Sequence, residues 1–245
     1  MAKKSKRPQL YATKFVGVSR AMLDTFKERI NPPRHRARAF YLFVSLLLDG
    51  DWNFQTPENP FRCRRRWLYK SIGWRFEKIR HYRQVLVDAE IVSLDKKRTS
   101  LTYSINCDVL GIVEATKRSK QRRRQPYRRG FWGLTRQLKD NLKKKLRQDP
   151  DVSACLWLLS NMLVHSNWTA KTVAEPFSIS QSALSDATGW DVRTVRRYIR
   201  KLIESGFLFF DMPAGPRRAA SYILDTTLAG IITGAENPTK RMDFS

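Results

Sequence analysis

The chain has 245 residues, room for one large domain or two small ones, and carries 47 Lys and Arg against 22 Asp and Glu, a formal net charge of +25. Hydrophobic residues make up 42% of it, which supports a packed core and argues against disorder throughout. A polyanion relieves self-repulsion on this scale, so phosphate backbones and anionic membrane surfaces are the first partners to weigh.

In chain order, residues 1–18 read as a basic tail, with Lys3 to Arg7 adding nonspecific phosphate affinity and no apolar leader following. A first domain is expected over 19–108. Arg38 to Leu48 is its opening helix. Within this stretch Ala39 to Leu48, interrupted only by Ser45, is the longest apolar run, and its ten residues fall short of the roughly 20 that span a membrane. Arg65 to Ile72 and Arg75 to Ala89 follow as a helix pair, then Ile91 to Leu94 and Leu101 to Ile105 as a hairpin with Lys96, Lys97 and Arg98 at its tip.

Residues 109–150 read as a basic linker. Lys117 to Arg129 holds no acid, and Leu134, Leu138, Leu142 and Leu146 recur at strict four-residue spacing, so Leu134 to Gln148 is expected to be a helix bridging two domains. The second domain is expected over 151–232, with 233–245 as a tail without signal. Val152 to His165 is its apolar helix, with Asp151 as N-cap; Phe177 to Ile179 is extended. Ser180 caps a helix from Gln181 to Thr188 that stops at Gly189, and Asp191 caps a second from Val192 to Ser205, ended by Gly206. Phe207 to Phe210 and Ala220 to Leu224 complete a hairpin.

An internal repeat organises these elements. Phe61 to Asp95 lies on Phe177 to Asp211 without a gap, at an offset of 116. Leu68 meets Leu184, Gly73-Trp74 meets Gly189-Trp190, Ile79 meets Val195, Arg80 meets Arg196, Tyr82 meets Tyr198 and Leu86 meets Leu202. Upstream, Leu47 meets Leu163, Trp52 meets Trp168 and Pro60 meets Pro176. Helix, strand, helix, turn, helix and hairpin is the winged helix-turn-helix order. The expected class is therefore mainly α with small β-hairpins (α+β): two tandem winged helices joined by a basic helical linker.

A helix fits the major groove of B-DNA, where its outward side chains read base edges. Val195, Ile199 and Leu202 mark the buried face of the Val192–Ser205 helix, which leaves Arg193, Thr194, Arg196, Arg197, Arg200 and Lys201 outward. Arg193 and Arg197 sit toward the end that enters the groove and are the candidate guanine readers; Arg200 and Lys201 would meet phosphates. The first copy offers Arg75, Lys78, Arg80, His81 and Gln84, with Arg64, Arg65, Arg66 and Lys70 along the phosphates and Lys96, Lys97 and Arg98 at the wing. Arg83 stands where the second copy has the core residue Ile199, which implies a snorkelling stem or a rotated helix.

Catalysis is not expected, and neither is a cofactor. No HxH pair accompanies a tyrosine nucleophile, His35 and Arg38 form only a lone HxxR, and no GxxxxGK[ST] loop or magnesium-holding acidic cluster occurs. Cys63, Cys107 and Cys155 form no CxxC pair and, with His35, His81 and His165, fit no zinc template; Cys155 reads as a small hydrophobe in a core helix. A reducing cytoplasm is the expected compartment.

Two basic winged helices on a basic connector resemble the replication initiators of iteron-type plasmids. The second copy, in Gly189 to Arg197 and Gly206-Phe207-Leu208, is also similar to the N-terminal winged helix of phage replication-origin proteins. The resemblance covers about Arg38 to Asp225. It implies binding of double-stranded DNA at repeated origin sites, recruitment of host helicase and primase, and cytoplasmic action. Initiators of this kind often dimerise through the first domain, so a homodimer is a candidate assembly, although no residues here mark the surface. A winged-helix transcription regulator and an RNA- or ribosome-associated basic protein remain alternatives; the last predicts flat aromatic stacking surfaces, whereas Trp74, Trp168 and Trp190 fall at repeat-matched positions and read as core.

Overall fold

A computed structural model of the chain describes residues 15–53, 57, 59–95, 101–112, 131–166, 175–213 and 219–231, without the side chains of Arg65 and Phe131. The elements come in two similar series. The first is β1 (Phe15–Ser19), α1 (Arg20–Arg29), α2 (Pro33–Asp49), β2 (Phe61–Arg62), α3 (Arg65–Ile72), α4 (Phe76–Asp88), β3 (Val92–Asp95) and β4 (Thr102–Ile105). The second is β5 (Phe131–Thr135), α5 (Arg136–Leu146), α6 (Asp149–His165), β6 (Phe177–Ile179), α7 (Gln181–Thr188), α8 (Val192–Glu204), β7 (Leu208–Met212), β8 (Ala220–Leu224) and α9 (Thr226–Ala229). From β1 to β3 each element starts 116 positions before its counterpart. The closing strands drift from that offset.

Each series ends in a three-stranded antiparallel sheet, ordered β2-β4-β3 and β6-β8-β7. Strand β1 pairs with β5 antiparallel, with Gly17 opposite Gly133 at the centre and Phe15 opposite Thr135 at one end. Those glycines occupy matched positions, so the ribbon has a local two-fold axis that exchanges the halves. Helix α2 packs against its own counterpart α6 beneath it. The buried stretch of α6 runs unbroken from Asp151 to Leu163, the pattern of a helix enclosed on all sides rather than half-wet. Phe26, Phe40 and Trp157 meet there with ring centroids 5.2 to 6.3 Å apart. Truncating a fully buried aromatic of this kind to Ala costs about 3–5 kcal/mol.

Helices α1 and α5 brace the ends of their halves. Thr25 Oγ1 donates to the Val109 carbonyl at 2.7 Å, and Asn141 Nδ2 donates to the Leu228 carbonyl at 3.0 Å. The halves differ where α5 crosses to the end of α2. There the ammonium of Lys139, fully enclosed, lies 2.6 Å from Asp49 Oδ2 and also meets Ser71 Oγ; the positions matching Lys139 and Asp49 are Leu23 and His165.

Several local expectations need correction. Leu134 lies buried in β5, not in a helix, because its segment pairs with β1; the leucine spacing marks a helix face only from Leu138, with Leu138 and Leu142 buried and Leu146 half-buried. Helix α6 starts at Asp149 with Gln148 as N-cap and no capping side chain, since Pro150 in the first turn presets the helical backbone. Asp151 is therefore inside the helix, and its carboxylate is used elsewhere. The opening helix of the first half begins at Pro33 rather than Arg38 for the same reason. Trp168, the tail Lys3 to Arg7, the basic run Lys117 to Arg129 and the 233–245 tail fall outside the described residues.

Candidate nucleic-acid interface

The second half builds its outward helix from local signals. Ser180 Oγ accepts from the Ala183 amide at 3.1 Å and starts α7, which stops at Gly189 with φ at 69°, a left-handed conformation that glycine adopts without strain. Ser185 Oγ donates to the Trp190 carbonyl at 2.6 Å and holds the turn. Asp191 then accepts from the Thr194 amide at 2.8 Å and from its hydroxyl at 2.7 Å, and these bonds hold the Asp191 carboxyl below the usual carboxylate range.

Val195, Tyr198, Ile199 and Leu202 bury one face of α8. Arg193, Arg196, Arg197 and Arg200 are exposed on the other, and a shallow groove of about 620 Å³ runs among them. Arg196 Nε donates to Gln181 Oε1 at 2.5 Å, while Arg197 lies over the Tyr198 ring, 4.6 Å from its centroid, and donates to the Tyr198 hydroxyl at 3.0 Å. Among the described residues the side chains of Arg193 and Arg200 have no hydrogen-bond or ion-pair partner, so they project free. Thr194 is half-buried and its hydroxyl is committed to Asp191. Lys201 is ion-paired with Asp151.

The first half places α4 in the matching position, with Arg75, Arg80, His81 and Gln84 exposed. Gln84 Nε2 donates to Asp88 Oδ1 at 2.8 Å. Lys78 is half-buried: its ammonium pairs with Asp149 and lies 4.5 Å from the centroid of the Trp74 ring, whose Nε1 also donates to Asp149. At the start of α3, Arg64 lies 4.9 Å above the Trp67 ring centroid, and Arg66 and Lys70 on the helix are exposed. Arg83 is half-buried in the slot matching Ile199. Lys96, Lys97, Arg98 and the Arg65 side chain lie outside what is described. Trp74 is buried and Trp190 half-buried, the latter with its ring centroid 5.4 Å from that of Tyr198.

Two features escape a reading of the sequence. The first turn of α6 supplies both acids, Asp149 to Lys78 of α4 and Asp151 to Lys201 of α8, so one turn ties the two outward helices together. The start of α2 bridges the same pair. His35 Nδ1 is 3.2 Å from the Tyr82 hydroxyl of α4, and the Arg36 guanidinium lies against Gly189 in the turn before α8. Arg38 donates to the Tyr82 hydroxyl at 3.2 Å, and Arg34 beside them is exposed. The signal available was three arginines within five residues, 34–38, at a helix start. Burial, then His81, Arg34 and Arg38, push the His35 imidazole below its ordinary pKa; its ring centroid is 5.4 Å from that of His81.

Helices α4 and α8 each expose basic residues on one side and pack the other into the core. Among the described residues no group of acids, histidines and cysteines is placed to hold a metal ion. No described helix is long and apolar enough to cross a membrane. No curated protein matches the chain. The winged helix-turn-helix DNA-binding family matches residues 176–208, the stretch that contains β6, α7 and α8.

Proposed function

We propose that this chain is a sequence-specific double-stranded-DNA-binding protein that presents two winged-helix units, one from each half, to the same duplex. The observation that carries the reading is α8: within the family-matched segment, four exposed arginines stand on a helix whose other face is buried. Arg193 and Arg197 read guanine edges, and Arg196 and Arg200 meet phosphates. In the first half, the same element order at the same offset supports α4 as a second reading helix, flanked by Arg64 and Arg66.

Two recognition helices of unlike sequence on one chain suit a long asymmetric site. Repeated sites of that kind at a replication origin are what an initiator binds, and recruitment of host helicase and primase in the cytoplasm follows from that role. A winged-helix transcription regulator is the second reading, favoured by the match itself, which covers only the DNA-reading element that regulators share.

Selection of bound duplexes from a random library, with nonspecific competitor at physiological salt, tests both. A long asymmetric site found as direct repeats in the source replicon supports the initiator. An inverted repeat beside a promoter supports the regulator, and no enriched sequence overturns specific binding.

A further inference from the structure

We propose that the first half holds a pocket for a single unstacked nucleotide, between the end of α2, β2, α3 and α4. A cavity of about 720 Å³ opens there, in the roughly 300–1,000 Å³ range of small-ligand sites. Its walls are aromatic rings and guanidinium groups: Trp67, Phe76 and Tyr103 with Arg62, Arg64 and Arg83.

The matched positions in the second half show that the fold does not require this lining. Trp67, Tyr69, Phe76 and Arg83 correspond to Ala183, Ser185, Val192 and Ile199, and Ile199 is core. Four substitutions that enlarge or charge a side chain therefore converge on one cavity. Trp67 is left 55% exposed, and Phe76, edge-on to the Tyr69 ring with centroids 6.1 Å apart, keeps 37% of its surface open at the cavity mouth. Arg83 is the less expected of the set. It stands half-buried at the cavity wall with no ion-pair or hydrogen-bond partner among the described residues, so its guanidinium is available to an anion.

A nucleotide answers both features. Its base stacks on an exposed ring, as bases do on the aromatic platforms of single-strand-binding proteins, and its phosphate meets the guanidinium fork. One face of Trp67 is already covered by Arg64, so the free face is the stacking surface. Two carboxylates also line the pocket. Asp49 is neutralised by Lys139 and lies 3.5 Å from Arg136, and Asp51 accepts from the Arg62 amide, so three guanidiniums dominate the local charge. A base paired inside a duplex is stacked on both faces and cannot enter. The occupant is thus a nucleotide of a single strand or a free nucleotide, and the site is separate from the duplex-reading face of α8.

The test is titration of the full chain with a fluorescent, unstructured oligodeoxythymidylate, against a duplex of the selected site in parallel. Arg83→Ile and Trp67→Ala install the residues of the second half and so remain compatible with the fold, which a thermal melt checks. Each is expected to weaken oligothymidylate binding by roughly 5- to 100-fold, with duplex affinity changed less than about twofold. Competition by millimolar thymidine monophosphate identifies a free-nucleotide site; binding unaffected by the mononucleotide but lost in the variants identifies a single strand. Unchanged oligothymidylate binding in both folded variants overturns the pocket. That outcome is distinct from failure of the duplex reading, which Arg193→Ala reports.

Discussion

The two halves of this chain share a backbone plan and differ in what stabilises it. In the second, Ser180 and Asp191 start the two helices with side chains that accept backbone amides. In the first, the same places hold Arg64 and Arg75, neither of which makes a capping bond. A cation at a helix N-terminus also opposes the helix dipole. The first unit therefore forgoes capping stability to place positive charge where α3 and α4 begin, the ends that helix-turn-helix proteins bring to phosphates and bases. The second unit keeps its caps and concentrates charge along α8. The comparison teaches that one backbone plan tolerates two solutions: one half starts its helices with capping side chains, the other with uncapped arginines.

The largest effect expected from disturbing this asymmetry concerns the point where the halves meet. Asp49→Ala strands the enclosed Lys139 ammonium, and breaking a buried pair in this way costs about 3–5 kcal/mol. Lys139→Leu copies Leu23 of the other half, and the double variant Asp49→Leu with Lys139→Leu should recover most of the loss, because the uncompensated charge is gone. Urea unfolding midpoints measure both. A double variant as unstable as the single one would show that the pair is not what couples α5 to α2.

Next in size is specificity. Arg193→Ala and Arg197→Ala should each reduce discrimination against mismatched sites by about 1–3 kcal/mol, as loss of a bidentate base contact does. Arg200→Ala should weaken all sequences alike and flatten the salt dependence by about one counterion. If the first unit leans on phosphates more than on bases, Arg75→Ala will behave like Arg200→Ala, and competition binding at two salt concentrations separates the cases. Loss of selectivity in Arg75→Ala would make the units equal readers.

Transplanting caps gives a smaller, opposite effect. Arg64→Ser and Arg75→Asp install the second unit's capping residues and should each stabilise the fold by about 0.5–2 kcal/mol, while lowering DNA affinity because a cation is lost at a helix start. A rise in thermal midpoint together with weaker binding is the expected result. No gain in stability would mean that the first unit's helix starts already satisfy their amides in another way.

The repeat made much of this legible. Matched pairs such as Gly73-Trp74 and Gly189-Trp190 carry the turn chemistry in the residues themselves, so the boundaries of α3, α4, α7 and α8 follow from the chain to within a residue or two. The strands β1 and β5 were not legible, because Gly17 and Gly133 weaken any local strand signal and the pairing partner is more than a hundred residues away. The acids that hold Lys78 and Lys201 were hidden for a related reason. A helical wheel turns both lysines outward, but only the packing of α6 brings Asp149 and Asp151 alongside. Arg83 was legible as a departure from pattern and not as a cavity wall, since a cavity depends on neighbours from four elements.

The smallest expected effect is that of pH, and it bears on α2 and α6 as counterparts. His35 stands at the start of α2, and His165 ends α6. Burial is the main cause that lowers both pKa values, with His81, Arg34 and Arg38 adding to it at His35, and Arg20 and Lys27 adding to it at His165 against an opposing pull from Asp24. Both are bases that the fold keeps neutral, so just below the ordinary imidazole value near 6.5 the unfolded chain binds more protons than the folded one. Stability is therefore full above about 6.5 and declines as the pH falls toward the lowered values, by a modest amount for two partly exposed groups. The thermal midpoint should drop between pH 7 and 5, and less so in His165→Gln, which removes one of the two titrations. DNA should reverse the sign at His35, since a phosphate near Arg34 and His81 favours the imidazolium, but not at His165, which lies at the far end of α6 from Asp149 and Asp151. Affinity for the selected duplex should then rise modestly from pH 7 to 6 in the wild type and in His165→Gln, and by less in His35→Gln. A pH-independent affinity in all three would place the start of α2 away from the DNA and leave α4 and α8 to bind without the arginines between them.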